Sequence, residues 1–348
     1  MRSRQITRLL ALLLGCLLLQ PTLGDGRGDY TKGLEAYRDE DFTRAVKYFR
    51  QAADNGYVKA QVELAEMYLR GDGVAQNSEE AARWYARAAR QGNSSAQFNL
   101  AQLYSEGDGV TRDDEKAARW FYRAASQGHA DAQYRLGLAY LEGKGVDRNS
   151  LQATRWLLRA AEQGLSQAQY RLAMAYFQGL GVEEDREKAA RWLARAAEKG
   201  HRESRFDLGM LYIYGIGVPQ DPERGRQWLE KSASQHDAKA RYNLGMLHER
   251  GIGVEQDFGE AARWYRLAAE QGDAAGQFAL GKLHVLGKGV PTDYVMAYAW
   301  LNLAAAQEFP GAATSLAVLG DTLNCEQVGE AQKMSREMWK KIHDSAKE

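Results

Sequence analysis

The sequence predicts an all-α solenoid, in which helical hairpins of one length stack along the chain. The motif Gly-x-Gly-Val occurs seven times at intervals of 36 residues, from the copy at Gly71 to the copy at Gly287. Each interval also contains two stretches with apolar residues at helical spacing. A fixed period of roughly 20–50 residues is typical of repeat proteins whose units pack on their neighbours.

Residues 57–92 illustrate one unit. Ala60, Leu64 and Tyr68 lie on one face of a first helix, which we name helix A. Gly71 follows, and glycine readily takes the left-handed conformation that ends helices. A second helix, helix B, is predicted from another run of apolar residues at helical spacing, namely Ala81, Trp84, Tyr85 and Ala88.

Each unit also carries a start signal for helix B. Six residues after the first glycine of the motif, every copy has Asn or Asp, at Asn77, Asp113, Asn149, Asp185, Asp221, Asp257 and Asp293. These side chains accept hydrogen bonds from the free amides of a first helical turn. Tryptophan recurs once per helix B, from Trp84 to Trp300, and we expect these rings to lie in the core.

Glycine closes helix B in most units, for example at Gly92. His236 and Glu308 occupy this position in two units. Because non-glycine residues resist the left-handed conformation, we expect tighter or frayed helix ends there.

Several motifs together resemble the Sel-one-like repeat (SLR), a relative of the tetratricopeptide repeat. They are Ala-Gln-x-x-Leu in helix A, Gly-x-Gly-Val in the loop, and Trp-Tyr and Ala-Ala-x-Gln-Gly in helix B, and they extend over residues 57–308. The resemblance implies antiparallel helix pairs stacked into a right-handed superhelix with a concave face. It also implies adaptor or scaffold roles.

The predicted organisation has four parts. Residues 1–24 are predicted to be a signal peptide, and residues 25–56 a shorter cap that resembles a tetratricopeptide unit. Residues 57–308 contain seven repeats, and residues 309–348 are predicted to form a C-terminal helical cap. Caps are expected because a solenoid must cover its terminal apolar faces.

The N-terminal segment is typical of a secretory signal. Arg2, Arg4 and Arg8 precede an apolar run, Leu9–Leu19, and a cleavage site is expected before Asp25. The run is shorter than the roughly 18 apolar residues that a membrane-spanning helix needs. We therefore expect an exported protein, either periplasmic or secreted, without a transmembrane span.

A second interpretation of this segment stays open. Leu13-Leu14-Gly15-Cys16 resembles a lipobox, which implies a lipid anchor at Cys16 and an outer-membrane lipoprotein. If Cys16 is instead removed with the signal, Cys325 is the one remaining cysteine and no disulfide can form within the chain.

Composition and motifs argue against catalysis and nucleic-acid binding. The 46 basic and 46 acidic residues balance, so the basic footprint of a nucleic-acid binder is missing. No hydrolase or zinc-protease motif occurs, and we expect neither an enzyme nor a cofactor. His248 and His284 occupy the same position in adjacent repeats; they could share a metal, but we prefer an aromatic substitution in the core.

A second apolar stripe on helix A is the candidate partner-binding surface. It runs roughly opposite the Ala-Leu-Tyr face and comprises Tyr134, Leu138, Tyr170, Met174, Phe177, Phe206, Met210, Ile213, Tyr242 and Met246. Aromatic and Met side chains suit a peptide groove. The alternative is that the stripe packs against helix A of the next repeat.

The sequence therefore predicts an exported interaction scaffold that binds a protein or peptide through the concave helix A face. Two alternatives stay open. One is an enzyme or binder related to the cell wall or to antibiotics, by analogy with cysteine-rich relatives. The other is a structural spacer or self-assembling protein.

Overall fold

A computed structural model describes residues 26–345, which form eighteen α-helices and no strand. The all-α prediction is therefore confirmed, and the 36-residue period corresponds to one pair of antiparallel neighbours, helix A then helix B. The predicted signal peptide and the lipobox, residues 1–24, lie outside the described residues. The chain divides after Gln163 into two compact units.

The first unit contains four hairpins, in each of which helix A precedes helix B. They are α1 (Arg27–Arg38) and α2 (Phe42–Asp54), α3 (Val58–Arg70) and α4 (Ser78–Arg90), α5 (Ser94–Glu106) and α6 (Asp114–Ser126), and α7 (Ala130–Glu142) and α8 (Ser150–Glu162).

The second unit contains four more hairpins and two further helices. The hairpins are α9 (Ser166–Gln178) and α10 (Arg186–Glu198), α11 (Arg202–Tyr214) and α12 (Pro222–Ala233), α13 (Ala238–Arg250) and α14 (Phe258–Ala269), and α15 (Ala274–Leu286) and α16 (Tyr294–Ala306). The short α17 (Ala312–Gly320) and the long α18 (Cys325–Ser345) follow, and both pack on α16.

The predicted start signals of helix B are confirmed. In all seven repeats the Asn or Asp side chain accepts a hydrogen bond from the backbone amide three residues later, at 2.8–3.0 Å. The first motif glycine ends helix A in the left-handed conformation, for example at φ 73° for Gly143. Local sequence thus fixes both ends of the loop that joins the two helices.

The second motif glycine has a role beyond the tight bend that the sequence suggests. Gly145 lies against the first turn of α6, and a Cβ built there would overlap the carbonyl oxygen of Asp114. Gly109 meets Ser78 in the same way, and Gly289 meets Phe258. Each loop therefore packs on helix B of the preceding hairpin through bare backbone.

The expectation of tighter or frayed helix ends at His236 and Glu308 is wrong for the backbone conformation. Both residues adopt the left-handed conformation that glycine takes elsewhere, at φ 60° and 58°. The amides of His236 and Glu308 donate to the carbonyl oxygens three residues earlier, as the amide of Gly92 does, so the same turn forms with a side chain in the left-handed region that glycine occupies without strain.

The deepest core position of helix B is the residue after the tryptophan. Trp192 is half-buried beneath the guanidinium of Arg195, 4.4 Å from the ring centroid, whereas Leu193 is fully buried. The residue in the Leu193 position is at most 6% exposed in all seven repeats. The predicted core role of tryptophan holds best for Trp84, Trp156 and Trp300, which are 6–7% exposed.

Buried glutamines of the Ala-Gln motif join neighbouring hairpins. Gln61 donates through Nε2 to the carbonyl of Ala53 at 3.1 Å and accepts at Oε1 from Gln91 at 2.8 Å. The same pair of bonds recurs around Gln97, Gln133 and Gln277. These amides are satisfied inside the core, which makes the register between hairpins specific.

Candidate functional site

The central part of the predicted stripe lies on α9 in the second unit. Tyr170, Met174 and Phe177 are half-buried and pack against a small cluster that includes Leu193 and Leu211. They are therefore neither fully buried nor fully exposed. A partner could reach their outer edges, while their inner edges hold the α9–α10 hairpin to α11.

The stripe continues on α11 and α13. Phe206, Met210 and Met246 are half-buried beside a cluster that contains Leu244 and Leu247. Ile213 differs, because it is 3% exposed and belongs to that cluster itself. We therefore remove Ile213 from the surface that a partner could contact; its side chain turns toward the backbone of α12, where Gly225 leaves room for it.

The aromatic position of the stripe packs on the start of the next hairpin. Tyr170 lies 5.0 Å from His201, ring centroid to ring centroid, and Phe98 stacks on His129 at 4.7 Å. Tyr242, by contrast, lies 5.6 Å from Tyr265 of the helix B that follows it. Packing thus uses much of each aromatic face, which agrees with the alternative interpretation for this position.

The first unit presents a different helix A surface. Tyr134 and Leu138 of α7 are half-buried, as in the second unit. Leu138, however, lines a cavity whose other walls include Glu106, Arg135 and Glu142. The stripe is therefore charged around its apolar residues in the first unit, and the three Met residues, Met174, Met210 and Met246, all belong to the second unit.

Asp207 is an ionisable group on this surface that the sequence did not single out. It accepts a hydrogen bond from the Tyr170 hydroxyl. Burial is the main cause that raises the pKa of Asp207 to about 6, with the charges of Asp237 and Glu203 adding to it. The hydrogen bond from Tyr170 acts in the opposite direction, because it stabilises the carboxylate.

A further cavity, lined mainly by apolar side chains, lies between α15, α16 and α17. Leu286, Tyr294 and Val318 line it and are 46–64% exposed. This cavity lies beyond Met246, the last residue of the predicted stripe. A signal was present, since Leu286 takes a position that is charged or polar in most repeats, but α17 had no repeat motif to place it.

The described residues offer no metal centre and no membrane span. Within residues 26–345, no group of three or more His, Cys, Asp or Glu side chains is placed to hold a metal ion. His284 is buried and its Nδ1 lies 3.3 Å from the carbonyl oxygen of Pro291, which fits a core position. None of the described helices is both long enough and apolar enough to cross a membrane.

Comparison with known proteins identifies the family. The family model described as "Sel1 repeat" matches eight consecutive segments, which are residues 23–57, 58–93, 94–129, 130–165, 166–201, 202–237, 238–273 and 274–309. The chain therefore belongs to the Sel1 repeat family, as its motifs predict. This fold typically mediates protein–protein interaction, and its scaffolds are typically non-catalytic. The first matched segment corresponds to the predicted N-terminal cap.

Two solved structures of bacterial proteins are similar over most of the chain. A Sel1 repeat protein from Oxalobacter formigenes is 34% identical, with a TM-score of 0.67, over 85% of this chain and 87% of that one. A protective antigen of uropathogenic Escherichia coli strains, which displays an SLR fold, is 28% identical, with a TM-score of 0.57, over 93% of both chains. No curated protein matches the chain.

Proposed function

We propose that this protein is an exported scaffold that binds a protein or peptide partner through the helix A surface of its second unit. The residues that we assign to this surface are Tyr170, Met174, Phe177, Phe206, Met210, Tyr242 and Met246. Tyr134 and Leu138 of the first unit remain candidate contacts at a more polar surface.

One observation carries the proposal. Three consecutive A helices, α9, α11 and α13, each place a half-buried Met four residues after a half-buried aromatic residue. The core does not require Met at this position, because Glu66, Gln102 and Lys282 occupy it in other repeats. Unbranched thioether side chains adapt to varied apolar partners, so this row favours binding over packing.

Export is proposed from the sequence of residues 1–24. A processed chain would begin at Asp25, whereas lipidation would leave Cys16 as the first residue. Intact mass spectrometry of the protein purified from its native compartment separates these outcomes, and a chain that retains Met1 in full would contradict export by a cleaved signal.

The binding proposal is tested by affinity capture from the native compartment with two variants. In the first, Met174 and Met210 are both replaced by Glu, which puts charge on the apolar row without removing a fully buried side chain. The second is the control Tyr122→Ser, which removes a 52% exposed aromatic ring from helix α6. Circular dichroism verifies that both variants remain folded.

We expect the wild type and Tyr122→Ser to capture the same partner and the Met variant to lose it. The captured protein is then purified and its direct binding measured by calorimetry. Loss of a desolvated apolar contact typically weakens binding by about tenfold or more. Equal affinity of all three proteins would reject the helix A surface as the binding site.

A further inference from the structure

The groove between α15, α16 and α17, which we name the C-terminal groove, is lined by large apolar side chains that are exposed and not packed into the core. Leu286 of α15, Tyr294 of α16 and Val318 of α17 are 56%, 46% and 64% exposed, and all three line it. Its floor is formed by Leu301 and Leu319, which are buried. A contiguous apolar surface of this kind typically marks an interaction site.

The charge in the lining of the groove is of one sign only, which is positive. Lys282 is the one charged residue among its lining side chains, and no acidic residue lines it. Within the part of the chain that the structure describes, Lys282 forms no ion pair; its Nζ lies 5.7 Å from the ring centroid of Phe278. An occupant with a carboxylate beside Lys282 would therefore complement a cation that the fold leaves unpaired.

Hydroxyl groups line the opposite side of the groove. Thr314 and Ser315 of α17 belong to the lining, and their side chains form no hydrogen bond with other described residues. A peptide backbone can use such hydroxyls as donors and acceptors. A hydrocarbon chain cannot, so the lining favours a peptide over a lipid.

We propose that the C-terminal groove binds an apolar peptide segment that places an acidic side chain against Lys282. The apolar side chains fill the space between Leu286, Tyr294 and Val318, as in helix-in-groove recognition. This inference extends the proposed scaffold function to a second surface, and it names the chemistry of the ligand there.

The two proposals can fail separately. The surface of the proposed function lies on α9, α11 and α13, whereas the C-terminal groove is built by α15, α16 and α17. A variant in the groove leaves Met174 and Met210 in place, and the reverse also holds.

The probe is a phage library of random peptides long enough for three helical turns, about eleven residues. It is selected on the chain from Asp25 onward, and binders that also bind a Leu286→Ser, Val318→Ser double variant are removed. We expect the remaining peptides to share at least two large apolar residues and one Asp or Glu.

Fluorescence anisotropy then measures the affinity of a selected peptide for the wild type and for each variant. The double variant should weaken binding by about tenfold or more, because two apolar contacts are lost. Tyr214→Ser is the matched control, since Tyr214 ends α11 as Leu286 ends α15 and is 57% exposed. It should leave the affinity unchanged.

A charge exchange tests the assignment of Lys282. Lys282→Glu should weaken the binding of the acidic peptide by about threefold. Replacing the acidic residue of the peptide by Lys should restore binding to this variant. The proposal is overturned if no selected peptide depends on Leu286 and Val318, or if the selected peptides are basic. Binding of oleate in place of any peptide would overturn it as well.

Discussion

Asp207 is held in surroundings that disfavour its charge. Its carboxylate is largely buried, and Asp237 and Glu203 add negative potential, while a hydrogen bond from the Tyr170 hydroxyl and the charge of Lys239 act in the opposite direction. The folded pKa of about 6 lies above the ordinary value of 3.8. A carboxyl group whose pKa is raised by folding stabilises the native state at low pH and loses that contribution as pH rises through the folded pKa.

The first prediction therefore concerns pH. Between pH 7.5 and pH 4, Asp207→Asn should flatten the pH dependence of stability. Above pH 7 it should stabilise the protein by roughly 3 kcal/mol, since the folded pKa of Asp207 lies about two units above its ordinary value and one unit corresponds to about 1.4 kcal/mol. Urea unfolding at a series of pH values measures this. Glu255→Gln, which changes an exposed acid in a loop, serves as control. An unchanged difference between wild type and Asp207→Asn across the range would reject the assigned pKa.

Each Gly-x-Gly-Val loop must both turn the chain between two helices and pack closely against the preceding helix B. Both glycines of the third copy are left-handed, at φ 73° for Gly143 and 68° for Gly145. A Cβ on Gly143 would meet the Cβ of Arg148 at an ordinary 3.5 Å, whereas one on Gly145 would overlap the backbone of α6. The first glycine thus serves the turn, and the second serves the contact between hairpins.

The second prediction compares these two positions. Gly143→Ala should destabilise the protein by about 1 kcal/mol, the typical cost of a left-handed alanine. Gly145→Ala should destabilise it by roughly 3 kcal/mol or more, because the loop must also move away from α6. Chemical denaturation of both variants tests the difference. Equal losses would show that only the turn conformation matters.

The surface that helix A can offer to a partner consists of those side chains that are not buried in the core. Ile213 is buried in the core although the sequence predicts it as part of the stripe, whereas Leu286, which lies outside the predicted stripe, is exposed at the end of α15. Half-buried Tyr170 and Phe206 both support packing and border the surface. In the function that we propose, partner binding and hairpin stacking would therefore use neighbouring sides of one helix.

At the scale of the whole molecule, each hairpin depends on its neighbours for a covered apolar face. Solenoid stability is approximately a sum of repeat terms and nearest-neighbour terms, so an end is the weakest place. In the second unit α18 supplies that cover, with Met338 and Ile342 beside the cluster that contains Trp300 and Leu303. Asn302 also donates to the hydroxyl of Ser335 at 2.8 Å.

The third prediction tests this end cap. Replacing Met338 and Ile342 by Ala should lower the unfolding free energy by roughly 2–4 kcal/mol through lost burial. Hydrogen exchange should show the loss of protection in α15 and α16 before α9 and α10, because coupling passes between nearest neighbours. Trp339→Ser is the control, since that ring is 52% exposed. Uniform loss of protection over the second unit would contradict nearest-neighbour coupling.

The helices, their ends and their period follow from the amino-acid sequence alone. Those features rest on local chemistry: an Asp side chain caps the amides of its own helix, and a glycine turns the chain where it stands. The family followed from the same motifs. The row Met174, Met210 and Met246 was also visible, because it repeats at the 36-residue period.

Which of those positions are exposed depends on the tertiary structure. Burial depends on the neighbouring hairpin, so Ile213, Leu193 and the raised pKa of Asp207 could not be assigned from their own repeat. The C-terminal groove needs α17, which carries no repeat motif, to lie beside α15 and α16. Periodicity specifies how a unit folds, whereas exposed surface is set by the contacts between units.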